Sequence, residues 1–211
     1  MHFIPEELDD YVVAHSENEP ELLQQLNRET YQKILQPRML SGHYQGRILS
    51  MISKLVNPVN ILEIGTYTGY SALCLIEGMQ KSGELHTIDI NEELVDFQRK
   101  YFDKSGFGNQ IHQHLGNALE IIPKLDISFD LIFIDGHHDG TAMMDYLELV
   151  FPMLSENGCV VVDDIRWSSS MNEAWMKVQK NPRFGVSLDL FELGVLIKRP
   201  TQTKQHFVLK Y

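Results

Sequence analysis

The stretch from Ile61 to Ser71 constrains the fold of this chain more than any other. It begins as an apolar run typical of a buried strand, and then breaks at Gly65 and Gly69, which predicts a tight turn. The apolar residues from Ser71 to Met79 predict that a helix follows the turn. Gly65 lacks a Cβ and so lets a ligand approach the main chain, while a helix start favours polar ligand groups. Strand, turn and helix in this order indicate a pocket of the nucleotide-binding type.

Strands and helices alternate from residue 60 onward, which predicts a mostly parallel sheet covered by helices on both faces. The predicted strands are Ile61 to Gly65, Leu85 to Asp89, Ile111 to Leu115, Leu131 to Asp135 and Val160 to Asp163. The predicted helices are Ser71 to Met79, Glu92 to Lys104, Ala118 to Leu125, Ala142 to Leu154 and Met171 to Lys180. Two last strands, Val186 to Phe191 and Val195 to Arg199, are too close for a crossover helix and predict an antiparallel hairpin. We therefore expect a doubly wound α/β fold with seven strands, whose ligands bind at the carboxyl ends.

The first 58 residues predict a helical cap on that sheet, and residues 59–211 predict the main body of a single domain. The helices of the cap are predicted at Glu6 to Ala14, Glu21 to Leu35 and Gly46 to Leu55. Two Ser-x-x-Glu patterns, at Ser16 and at Ser170, predict capping boxes for the second of these helices and for the last helix of the chain.

Charge and composition narrow the partners. A net charge of −11, from 29 acidic against 18 basic residues, argues against nucleic acid. The sequence has neither an eighteen-residue apolar run nor a signal-peptide pattern at its start, so we expect no membrane association and a cytoplasmic location. Cys74 and Cys159 lie in apolar segments, which predicts reduced thiols in the core.

The glycine spacing separates the possible nucleotide ligands. In the dinucleotide pattern G-x-G-x-x-G, the second glycine lets a pyrophosphate approach, and Tyr67 occupies that place here. A pyrophosphate is therefore disfavoured. Asp89 follows the second strand, where a carboxylate can accept hydrogen bonds from a ribose diol, or can simply be a solvated acid.

The residues Leu62 to Ser71, followed by His86-Thr87-Ile88-Asp89, resemble class I S-adenosylmethionine-dependent methyltransferases, and more narrowly the catechol and caffeoyl-CoA O-methyltransferase group. The resemblance runs from about Met39 to Asp164. It implies a site for S-adenosylmethionine in which Asp89 binds the ribose and Ala118 lies beside the adenine. The methionine end would be held by Ser41, Glu63, Gly65, Thr66 and Ser71, with Asp135 adjoining it. Ser41 is equally explained as a plain loop serine before a helix.

Three acids follow two strands that we expect to be neighbours. Asp135 follows one predicted strand, and Asp163 and Asp164 follow the next. Adjacent strands lie about 5 Å apart, so these carboxylates would repel one another unless a hard divalent ion such as Mg²⁺, Ca²⁺ or Mn²⁺ joined them. Both Asp163 and Asp164 can reach one ion only if the strand has already ended. The alternative is that these acids cap the following loop. In the resembled family the place of Asp164 is an asparagine.

The residue three positions after Asp135 is His138, where the caffeoyl-CoA and catechol enzymes have lysine. A histidine can accept a hydroxyl proton near neutral pH. The segment from Asp135 to His138 also resembles macrolide-sugar O-methyltransferases, which have a histidine base at this spacing. The alternative for His138 is a surface histidine without a role. His112 and His114 share a strand face with no acid beside them in sequence, which indicates strand surface.

Together these features predict a divalent-metal-dependent O-methyltransferase acting on a hydroxyl of a small molecule, with S-adenosylmethionine as cofactor. An S-adenosylmethionine-binding protein without turnover is the first alternative, and an NAD-dependent oxidoreductase is the second. The N-terminal helices and the resemblance favour a homodimer.

Overall fold

The computed structural model describes residues 6–209, apart from the side chains of Glu6 and Asp9. Its strands are β1 (Asn60–Ile64), β2 (Glu84–Asp89), β3 (Ile111–Leu115), β4 (Phe129–Ile134), β5 (Leu154–Val162), β6 (Val186–Leu190), β7 (Leu193–Ile197) and β8 (Gln205–Val208). Its helices are α1 (Glu6–His15), α2 (Glu21–Lys33), α3 (Gly42–Val56), α4 (Tyr70–Ile76), α5 (Val95–Lys104), α6 (Ala118–Ile121), α7 (Gly140–Val150) and α8 (Ser169–Val178).

The described strands form one sheet in the order β3-β2-β1-β4-β5-β7-β6-β8. Every pairing within it is parallel except those that β7 makes with β5 and β6. The central strands β1 and β4 are apolar because both their faces are covered, as Ile61, Leu62, Ile132 and Phe133 are all fully buried. This confirms the mostly parallel, doubly wound fold with its antiparallel hairpin.

Two apolar clusters cover the two faces of the sheet. One contains Leu73 of α4 and Phe102 of α5, and the other contains Leu147 of α7 and Trp175 of α8. Leu26 of α2 and Leu49 of α3 belong to the first cluster. Helices α2 and α3 therefore share their core with the sheet.

The sheet has an eighth strand that the sequence did not predict. Strand β8 pairs in parallel with β6, from Val186 with Gln205 to Asp189 with Val208. Its four residues are all exposed, so it lacks the apolar alternation that marks a half-buried strand. The hairpin before it turns through only Phe191 and Glu192, with Phe191 at φ 73°.

Both predicted capping boxes are wrong. The amide of Ser16 donates to the carbonyl of Val12 and so continues α1, and the N-cap of α2 is Pro20. Helix α8 is capped two residues earlier than predicted, by Ser168, whose hydroxyl accepts from the Met171 amide at 3.2 Å. Ser170 instead donates to the Asp139 carboxylate, which itself caps α7.

The cysteine prediction is confirmed, because Cys74 and Cys159 are free and buried. Burial raises the pKa of each thiol to about 12. Within residues 6–209, no helix combines the length and the apolar character that crossing a membrane requires.

Candidate active site

A cavity of about 1400 Å³ opens at the carboxyl edge of the parallel strands. Its wall includes the ends of β1, β2, β4 and β5 and the segment from Lys33 to Ser41. Backbone hydrogen bonds extend past the strand ends, as the amides of Gly65, Asp135 and Asp163 donate to Ile88, Ile64 and Ile134. These bonds hold the residues that follow each strand in line with one another along the cavity.

Gly65 turns the chain sharply after β1. Its φ is +97°, and a Cβ at this position would collide with the carbonyl oxygen of Asp135. The close approach that requires glycine is therefore made by the protein's own backbone at the end of β4. The missing Cβ thus brings the turn against the acid site; Gly65 also lines the cavity, and its contact with a ligand stays a prediction.

The carboxylate of Asp89 holds the same turn from the other side. Its Oδ2 accepts hydrogen bonds from the amides of Thr66 at 3.1 Å and Tyr67 at 2.7 Å, and its Oδ1 accepts from Asn91 at 2.9 Å. Asp89 also lines the cavity. It is thus both an anchor of the turn and a carboxylate available to a ligand.

Glu63, Thr66 and Ser71 lie beneath the turn and are not among the residues that line the cavity. The fully buried Glu63 carboxylate accepts from the hydroxyls of Ser71 and Thr87, each at 2.6 Å. Burial raises the pKa of Glu63 to about 7, although these two hydrogen bonds lower it. The contacts of these three residues support the shape of the turn, and their role at the methionine end stays a prediction.

Tyr67 closes one side of the cavity. Its backbone is left-handed at φ 47°, and its hydroxyl donates to the carbonyl of Gln36 at 3.0 Å. The side chain therefore connects the turn to the segment after α2, in the place where a dinucleotide site has glycine.

The three acids predicted from the strand ends lie together. Strand β5 ends at Val162, and Asp164 adopts a left-handed φ of 53°, which meets the condition that the strand ends before the acid pair. Asp135 and Asp163 follow the paired strands β4 and β5, and all three acids line the cavity. Asp163 is buried, and its Oδ2 accepts from the Gln45 side chain at 2.5 Å.

The electrostatics of this acid cluster fit a divalent cation. Burial raises the pKa of Asp135, and the charges of Asp163 and Asp164 raise it further. Burial and then Asp164 raise the pKa of Asp163 to about 7, against the hydrogen bonds from Gln45 and the Asp164 amide. Carboxylates placed so close together either retain protons or share a positive ion, and their oxygens are the ligands that Mg²⁺ and Ca²⁺ prefer.

His138 adjoins this cluster. Its Nδ1 lies 3.1 Å from Oδ2 of Asp164, and its ring lies 5.4 Å from that of Trp167. Burial raises the pKa of Asp164, and the facing His138 lowers it. This contact turns one ring nitrogen of His138 toward the Asp164 carboxylate.

Comparison with known proteins shows the family of this chain. A family model described as O-methyltransferase matches residues 13–198. The chain belongs to the O-methyltransferase family. Caffeoyl-CoA O-methyltransferase of Petroselinum crispum is 30% identical over 159 residues, which cover 72% of this chain and 65% of that protein. The chain thus spans less than two thirds of the length of that curated relative.

Solved structures of other proteins share the fold of this O-methyltransferase family member. The Podospora anserina methyltransferase PaMTH1, solved bound to SAH, is 25% identical, with a TM-score of 0.80 over 93% of this chain and 97% of that one. The O-methyltransferase TomG of Streptomyces achromogenes, solved with SAM, is 21% identical, with a TM-score of 0.79 over 92% and 96% of the two chains.

Two further residues that the sequence predicts to bind the cofactor also line the cavity. They are Ser41, before α3, and the buried Ala118, at the start of α6. Gln45 was missed, because an amide within a helical stretch gives no sign in the sequence that it reaches Asp163. His43, two residues before Gln45, bonds to the Glu17 carbonyl at 2.8 Å and does not line the cavity.

Replacing Gly65 with alanine tests the close approach of the turn to β4. We expect Gly65→Ala to lower the free energy of unfolding by about 3 kcal/mol or more, because a left-handed backbone and a collision with Asp135 add together. Gly106→Ala is the matched control, since Gly106 has φ +82° and open space around its Cβ position. The control should cost only about 1 kcal/mol, measured by urea unfolding. Equal losses would show that Asp135 does not constrain the turn.

Glu63 should make stability depend on pH. Its pKa in the folded protein, about 7, lies above the ordinary 4.5, so its contribution is complete below pH 4.5 and is lost as the pH rises through 7. In the wild type, Glu63 should lower the free energy of unfolding by on the order of 3 kcal/mol as the pH rises through this range. We expect Glu63→Gln to lack this decrease, as measured by urea unfolding at pH 5 and pH 8. The exposed Glu120→Gln should leave the pH dependence unchanged. A difference between Glu63→Gln and the wild type that is equal at both pH values would contradict the role of burial.

Proposed function

We propose that this chain is an S-adenosylmethionine-dependent O-methyltransferase that methylates a hydroxyl of a small molecule with the help of a divalent cation. The observation that carries the proposal is the convergence of Asp135, Asp163, Asp164 and His138 on one wall of the cavity. The turn that follows β1 forms the neighbouring wall. Cofactor and acceptor would then meet between the two walls.

The cavity fits a sulfonium nucleoside better than a dinucleotide. Asp89 offers a carboxylate at the end of β2, where a ribose diol would bind, and Ala118 leaves room for an adenine beside it. Tyr67 fills the place through which a pyrophosphate would approach. Ser41 and Asp135 remain for the methionine end, and the bound SAH of PaMTH1 supports the same class of cofactor.

Asp135, Asp163 and Asp164 would hold the divalent cation, which when bound would position an acceptor hydroxyl and lower its pKa. The chain's own residues set up this site. Gln45 holds one oxygen of Asp163, and the Asp164 amide donates to the other at 2.7 Å. The Asp164 carboxylate would contact both the proposed ion and His138. The asparagine that the resembled family has at this position would carry no charge for either contact.

His138 is the proposed base. Its Nδ1 lies beside the Asp164 carboxylate, which favours a proton on Nδ1 and a lone pair on Nε2 that can take a hydroxyl proton. The imidazolium formed would face the Asp164 carboxylate, whose charge stabilises it. Trp167, 64% exposed beside the His138 ring, offers a flat apolar wall to the acceptor. A homodimer and a cytoplasmic location stay predictions from the sequence.

Turnover should depend on His138. Assayed with S-adenosylmethionine, Mg²⁺ and a panel of phenols and sugars, the wild type should form a methylated product. We expect His138→Gln to lower kcat by about 10²- to 10⁴-fold, the usual contribution of a general base, and to leave the affinity for S-adenosylhomocysteine unchanged in calorimetry.

His15→Gln is the matched control, because His15 lies exposed in α1 and pairs with Tyr11. Full turnover by His138→Gln would remove the proposed base. A wild type that binds S-adenosylhomocysteine yet methylates none of the panel would favour a binding protein without turnover.

A further inference from the structure

A second cluster of side chains that can bind a metal lies near the amino ends of strands β2 and β3, away from the cavity at their carboxyl ends. Glu84 begins β2, and His86 follows two residues later on the same face. His112 stands directly beside His86 on the edge strand β3. Since β2 rises about 3.3 Å per residue, this cluster lies roughly 10 to 16 Å from Asp89 and the cavity.

The three side chains point their donor atoms at one place. Nε2 of His86 and Nε2 of His112 each lie 3.6 Å from Oε2 of Glu84, and the three residues can each offer one ligand atom within 4.8 Å of the other two. A spacing of 3.6 Å is too long for a hydrogen bond. Two ligands about 2.1 Å from a tetrahedral ion stand about 3.4 Å apart, so the observed spacings suit a shared ion.

The two Nε2 atoms are buried, yet neither has a hydrogen-bond partner among the described residues. Such unsatisfied polar atoms are rare in proteins and costly, because they lose water without gaining another partner. His86 is only 6% exposed, so its ring cannot turn to solvent. A bound cation would satisfy both nitrogens and the carboxylate at once.

His114 fixes the orientation of His86. Nε2 of His114 lies 3.0 Å from Nδ1 of His86, and the two rings stack at 5.2 Å. When His86 donates through Nδ1, its Nε2 carries the lone pair that a metal needs.

We propose that Glu84, His86 and His112 form a site for a borderline transition-metal ion of the Zn²⁺ type, which fastens the edge strand β3 to β2. Two imidazoles and one carboxylate are ligands that Zn²⁺ accepts, with water as the fourth. Imidazole ligands also separate this site from the all-oxygen acid cluster, which favours Mg²⁺ or Ca²⁺. The side chain of His112 is 40% exposed and that of Glu84 is 50% exposed, so both have room to close on the ion.

The test is a titration of the full chain with Co²⁺, which reports four- and five-coordinate sites by visible absorption, in excess Mg²⁺ to occupy oxygen sites. The wild type should bind one Co²⁺ at this site, and Zn²⁺ should displace it. We expect His112→Gln and Glu84→Gln each to weaken binding by at least about tenfold. Both side chains are partly exposed, so the variants should fold, which far-ultraviolet circular dichroism checks.

His206→Gln is the matched control, as His206 lies exposed on β8, the edge strand at the other side of the sheet. Its affinity for Co²⁺ should equal that of the wild type. Absence of a visible band with excess Co²⁺, or unchanged affinity in both His112→Gln and Glu84→Gln, would overturn the site. The titration involves no methyl transfer, so its outcome is independent of the proposed function.

Discussion

Repulsion among the carboxylates at the carboxyl edge of the sheet is the constraint on which the rest of the site depends. The parallel strands β4 and β5 end side by side, which places Asp135 next to Asp163. Asp164 is the next residue in the chain. The pKa values of all three carboxyls are raised, because burial removes the water that would otherwise stabilise and screen their charges. Gln45 and His138 are placed where they relieve part of it. A shared cation would relieve the rest.

The turn after β1 is bound to the same place. Because Gly65 has no Cβ, its backbone can lie against the carbonyl of Asp135, and Asp89 holds the following amides from the other side. The position of the turn after β1 is therefore linked to the position of Asp135, the first acid of the cluster. A methyl donor above the turn and an acceptor beside the acids would be brought together by one piece of backbone.

Patterns that reflect burial could be predicted from the sequence, and contacts between distant segments could not. The apolar runs of the parallel strands and the polar residues after them identified the sheet, the edge where the cavity opens and the cavity residues Asp89, Asp135 and His138. The hydrogen bonds that Glu63 accepts from Ser71 and Thr87 could not be predicted, because a sequence does not show which way a strand residue points and these hydroxyls belong to two other elements. Likewise, His112 seemed to lack an acid until strand pairing set Glu84 and His86 beside it.

Calorimetric titration of Mg²⁺ into the chain tests the central claim, that one ion joins the acids after β4 and β5. The account predicts one Mg²⁺ per chain in the wild type and in Asp126→Asn, whose aspartate is exposed outside the cavity. It also predicts at least about tenfold weaker binding in Asp163→Asn, which loses a charged oxygen ligand. Either no Mg²⁺ binding by the wild type, or equal binding by the wild type and Asp163→Asn, would contradict it.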